Sequence, residues 1–142
     1  IANVSQEEQN NIYEFGKNLG IAFQLQDDYL DAFGDPKTFG KQVGGDIIEN
    51  KKTFLYLKAL EFANQDQVKE LEHLFSIQPK DTSDKIFTVK NVFIESGAAQ
   101  RTKEEIALYT QKAFITLEKL TISDDKKALL KKFGESLMQR EV

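Results

Sequence analysis

The sequence predicts an all-helical fold on three observations. No segment alternates polar and apolar residues with period two, apolar residues recur three and four positions apart, and residues that start or stop helices bracket each such stretch. At 142 residues the chain has the length of one ordinary domain and can bury about two thirds of its unfolded surface. No fixed-length repeat or low-complexity linker divides it, so one all-helical unit is expected.

The first helix is predicted over residues 6 to 33. Ser5 and Glu8 have the spacing of a capping box, in which each side chain satisfies a main-chain N–H of the other. Gly34 suits a left-handed position after the last turn, and Pro36 cannot continue a helix. At helical spacing Phe15, Leu19, Phe23, Leu30 and Phe33 share an apolar stripe that only Gln26 interrupts, whereas Gln24, Asp27, Asp28 and Asp31 share the opposite face with Gly20. Residues 34 to 52 hold four of the eight glycines and one of the two prolines, which predicts a structured loop with about one turn of helix. A helix resumes near Thr53, and TFLYLKALEFA is apolar on most sides, as in a buried helix. Asn64 is placed to cap an amphipathic segment running through Phe75, and Pro79 closes that pair. Ser83 opens DKIFTVKNVFIES, which Gly97 stops. The next stretch repeats Ile106, Tyr109, Ala113 and Leu117 at helical spacing, and Ser123 begins the last helix.

The totals exclude several classes. Nineteen basic against 23 acidic residues give a net charge of −4, with no surplus of cations to displace the counterions of a nucleic acid. With no cysteine there is no disulfide scaffold, thiolate metal site or cysteine nucleophile. No run approaches the ~20 apolar residues of a membrane span, and IANVSQEEQ lacks the features of a signal peptide, so a cytoplasmic protein is expected. The one histidine, His73, reads as a surface or core-edge residue.

FQLQDDYLDAFGD concentrates acid where a helix tolerates it least. Aspartate is a poor helix former, the carboxyl end of a helix carries the negative pole of its dipole, and acids one turn apart repel. The nearest lysines in sequence, Lys17 and Lys37, are too far to pair with them along the helix. A divalent cation is the simplest compensation, and hard oxygen donors without cysteine or a nearby histidine favour magnesium or manganese over zinc. A calcium loop fails on spacing, because Gly34 as its sixth position would make Tyr29 the first and Phe33 the fifth. Lys41, Lys51 and Lys52 come shortly after, with Asp46 among them. The combination describes a metal-bridged diphosphate held between carboxylates and ammonium groups.

FQLQDDYLDAFGDPKTFGKQVGGDIIENKKT resembles the second aspartate-rich region of the isoprenyl diphosphate synthases, also called polyprenyl synthetases. Gly20, Phe23, Gln24, Asp27, Asp28, Asp31, Gly40, Lys41, Gly44, Asp46, Asn50 and Lys51 match that family's pattern in order. The match is strong over residues 16 to 58, and Gly97, Tyr109 and Ala113 fit the family's later helices. The resemblance implies the all-α isoprenoid synthase bundle, in which two aspartate-rich motifs face a central cavity and bind Mg2+ together with an allylic diphosphate. It implies a metal set of Asp27, Asp28, Asp31 and Asp46, with Asp27 a direct ligand, Asp31 a supporting one and Asp46 orienting metal-bound water. Gln24, Lys41 and Lys51 match positions that serve the diphosphate and catalysis. The implied reaction is condensation of the allylic substrate with isopentenyl diphosphate.

The first motif of the family is absent here. The only other adjacent pair, Asp124 and Asp125, is followed by KKALL and has no third acid. With Ile1 at its start, the chain reads as the carboxyl half of a longer prenyltransferase, inactive alone because it carries half of the metal site. A noncatalytic subunit or regulatory partner of a synthase is the alternative. A homodimer is expected of the full-length protein, and self-association of this piece from its uncovered apolar faces.

Overall fold

A computed structural model describes residues 5–34 and 43–139. Among them are seven helices and no strand: α1 (Gln6–Phe33), α2 (Gly45–Ile48), α3 (Phe54–Phe62), α4 (Gln65–Leu74), α5 (Ser83–Glu95), α6 (Ala98–Glu118) and α7 (Asp124–Met138). The all-helical class and the span of the first helix agree with the sequence. Pro36, Lys37, Gly40 and Lys41 lie outside the described residues. None of the described helices is long and apolar enough to cross a membrane.

The helices gather into two compact units, each with its own core. Residues 5–24 and 105–139 form the first, and residues 25–34 and 43–104 the second. In the first, Phe15 and Leu19 of α1 pack with Ala113, Leu117 and Leu120, flanked by Phe114, Leu130 and Leu137. The Phe15 and Phe114 rings meet tilted, with centroids 6.4 Å apart. Glu8 anchors this unit in a way its sequence spacing concealed. Its N–H donates to Ser5 Oγ at 3.1 Å, which is half of the expected capping box. Its carboxylate accepts instead from the Thr121 N–H, at 3.0 Å through each oxygen, and from the Thr121 hydroxyl. Those bonds to the carboxylate hold Glu8 below the usual glutamate range.

The second unit is centred on α5, against which α2, α3 and α4 all pack. Leu55, Tyr56, Ala59, Leu71, Val89, Val92 and Phe93 fill its core. α3 is less enclosed than its composition suggests: Leu55, Tyr56 and Ala59 are buried while Leu57 and Phe62 are exposed. Lys58 partly covers the outer side, its ammonium 5.4 Å from the Phe54 ring centre and 5.9 Å from that of Phe62.

Most helix ends form as their local residues predict. Asn64 and Gln67 form the reciprocal cap of α4, with bonds of 2.8 and 3.1 Å. Ser123 Oγ accepts from the Lys126 N–H at 3.3 Å to start α7, and Gly97, at φ 88, follows α5. Gly34 ends α1 differently from expectation. Its φ is not left-handed; its N–H donates to Leu30 O at 2.7 Å, and a β-carbon there would stand 2.6 Å from that same oxygen. Glycine is required for room rather than for handedness.

Candidate functional site

The aspartates of α1 lie in the part of the helix that belongs to the second unit. Asp27 and Asp31 are half-buried and Asp28 is buried, 8% exposed. Leu30, on the other side, is fully buried and fixes the rotation of the helix about its axis. Gln24 belongs to the first unit and is exposed.

Asp31 ties the end of α1 to the start of α2. Its main-chain oxygen accepts from the Gly44 N–H at 2.5 Å, and its Oδ2 accepts from the Asp46 N–H at 2.8 Å. The carboxylate thereby satisfies an orphan donor in the first turn of α2. Gly44 makes the approach feasible: it adopts φ 89, and a β-carbon would lie 3.0 Å from Ile86 Cδ1. Part of the compensation the acidic stripe requires is therefore local.

Lys51 supplies more of it. Its N–H returns to Asp46 O at 2.8 Å, and its Nζ lies 3.9 Å from Asp28 Oδ1 and 4.0 Å from Asp46 Oδ1. The side chain is about half exposed, so a pair this long contributes about 0 to 1 kcal/mol. A grip that weak leaves the ammonium available to an incoming anion. The structure thus brings Asp28, Asp31, Asp46 and Lys51 of the predicted set together. Lys41 lies outside the described residues, and His73 is exposed as expected.

Among the described residues, no three acidic or histidine side chains converge closely enough to hold a metal ion by themselves. The donors are hard oxygens, from Asp27, Asp28 and Asp31 of α1 and Asp46 of α2. That chemistry fits an ion which takes one or two carboxylates and fills its remaining positions from water and phosphate, and it does not fit a closed protein cage.

Sequence reasoning missed one contributor, Lys85. It stands four and seven residues before Val89 and Val92, on the buried face of α5, and is 2% exposed. Its Nζ donates to Asn50 Oδ1 and to Ile77 O, and burial pushes its pKa below the usual lysine range. A lysine at an apolar position within DKIFTVKNVF was the signal that could have found it.

The polyprenyl synthetase family model matches residues 1–92. The chain belongs to the polyprenyl synthetase family. It is 31% identical over 140 residues to a geranylfarnesyl diphosphate synthase of Aeropyrum pernix, an alignment covering 98% of this chain and 42% of the relative. The crystal structure of a geranylgeranyl pyrophosphate synthase superposes with a TM-score of 0.85 at 49% identity, covering 99% of this chain and 44% of that one. A geranylgeranyl pyrophosphate synthase from Corynebacterium glutamicum, complexed with isoprenyl diphosphate and magnesium, superposes with a TM-score of 0.82 at 26% identity, covering 96% of this chain and 39% of that one. The chain spans about two fifths of the length of the synthase relatives it matches. The family match over residues 1–92 and the shared helical scaffold establish membership of the polyprenyl synthetases.

Proposed function

We propose that this chain forms one aspartate-rich wall of a prenyl transfer site, in a protein that condenses an allylic diphosphate with isopentenyl diphosphate. The observation that carries the reading is the meeting of Asp28, Asp31, Asp46 and Lys51 at the end of one helix, in a polyprenyl synthetase chain. The magnesium and isoprenyl diphosphate bound to the Corynebacterium glutamicum relative support it.

Asp27 and Asp31 would hold Mg2+, or Mn2+ in its place, with Asp28 beside them and Asp46 orienting a metal-bound water. Bound metal supplies positive charge that stabilises the diphosphate as the allylic carbon–oxygen bond breaks. Lys51 shifts from its long pairs with Asp28 and Asp46 onto a diphosphate oxygen, and Lys41 and Gln24, by their match to the family's pattern, serve the same group. The bonding electrons leave with the diphosphate. The double bond of isopentenyl diphosphate then attacks the allylic carbon, and loss of a proton gives a product five carbons longer. No side-chain nucleophile takes part.

A single aspartate-rich motif provides half of such a site, so these 142 residues alone are inactive on this reading. Radiolabelled isopentenyl diphosphate incorporation tests it, comparing the full-length protein with the isolated chain. Magnesium-dependent turnover by the former and none by the latter is expected. Turnover by the isolated chain at an ordinary enzyme rate would defeat the two-wall account, and an inactive full-length protein would leave a noncatalytic partner of a synthase as the better description.

A further inference from the structure

Lys85 occupies a position that stability alone does not explain. A buried ammonium is normally answered by a carboxylate, and replacing a buried charge with a well-packed apolar side chain is often neutral or stabilising. Here the answer comes from neutral dipoles. Nζ donates to Ile77 O at 2.8 Å and to Asn50 Oδ1, and it lies 5.9 Å from the centre of the Phe75 ring. The far end of the Asn50 amide is fixed as well, Nδ2 donating to the same Ile77 carbonyl at 3.2 Å.

Asn50 is the non-glycine residue with a left-handed backbone among those described, at φ 59. Asparagine tolerates that region better than most residues, and still at some expense. Its own N–H closes the α2 turn on Ile47 O at 3.1 Å. The next residue is Lys51, which the turn delivers to Asp28 and Asp46.

We infer that Lys85 is a positioning residue: it clamps the Asn50 amide, and through the left-handed turn at Asn50 it aims the Lys51 ammonium at Asp28 and Asp46. The consequence for diphosphate binding rests on the function proposed above. The clamp itself is a matter of geometry and can be tested apart from that function.

The test uses the full-length protein as wild type, Lys85→Met, Asn50→Gly and the double variant. Met keeps the buried volume, and Gly keeps the left-handed turn while removing the amide. Three readouts are needed: the Asn50 side-chain amide resonances, hydrogen exchange at the Lys51 N–H, and calorimetric titration with inorganic pyrophosphate in magnesium. In Lys85→Met the Asn50 amide resonances should move toward those of a solvated asparagine, and Lys51 exchange should quicken. Pyrophosphate affinity should fall about two- to fivefold, the scale of an exposed ion pair. Asn50→Gly should lose as much, and the double variant no more than either single one. Unchanged Asn50 resonances and Lys51 exchange in a folded Lys85→Met protein would overturn the inference, as would affinity losses that add. Wild type that fails to bind magnesium pyrophosphate, while the Asn50 and Lys51 signals still respond to Lys85→Met, would sink the proposed function and uphold the clamp.

Discussion

Asp31 has one role in the fold and one in the proposed function, and a choice of substitution can separate them. Its Oδ2 holds the Asp46 N–H, which an asparagine carbonyl can also do, whereas its negative charge serves the proposed metal. Asp31→Asn should therefore keep the urea midpoint of the full-length protein and lower its magnesium-dependent turnover about 10- to 100-fold, the usual scale for disturbing a metal's surroundings. Asp31→Ala should add a loss of about 1 kcal/mol in stability, because α2 loses its acceptor. Lys51→Ala should raise the KM for the allylic diphosphate with little change in melting temperature, since its pairs at 3.9 and 4.0 Å are long and its own side chain is about half exposed. Steady-state kinetics beside a thermal melt checks each of these. The aspartates were legible because helical period alone puts them on one face. The division of labour within Asp31 was not, because it depends on where a loop returns.

Helix ends divide in the same way. Asn64, Ser123 and Gly97 act within a few residues of themselves, and sequence spacing located all three. Asn64→Ala should destabilise the second unit by about 1 kcal/mol in urea unfolding, with both bonds of the box lost together. Glu8 shows the limit of local reading. Its spacing from Ser5 is that of a capping box, yet its carboxylate goes to Thr121, more than a hundred residues away in the chain. Gly34 does stop α1, but for a different reason, crowding by Leu30 O. The Lys85 to Asn50 bond escaped notice because it depends on contact between segments distant in the chain.

For the molecule as a whole, Glu8 predicts a response to acid. Its folded pKa lies below the ordinary value of 4.5, so its contribution is fully present above that value and is lost as pH falls through the lower, folded one. Thermal melts between neutral and strongly acidic pH should show Glu8→Gln losing less stability on acidification than wild type; parallel curves would refute this. Apolar exposure predicts association. Leu129 and Phe133 lie one turn apart on α7, and Phe87 and Ile94 two turns apart on α5, all of them more than half exposed. Light scattering of the 142-residue chain should give at least the mass of a dimer, and glutamate at Phe133 and Phe87 should lower it. The two lysines that meet around Asn50 differ in what surrounds their charge. Lys51 is about half exposed beside its carboxylates, a pairing that added salt screens, whereas Lys85 is enclosed and bonded to uncharged dipoles that salt scarcely touches. Rising ionic strength should thus loosen the Lys51 ammonium from Asp28 and Asp46 and leave its scaffold rigid, making the site tunable by electrolyte without any softening of the helices beneath.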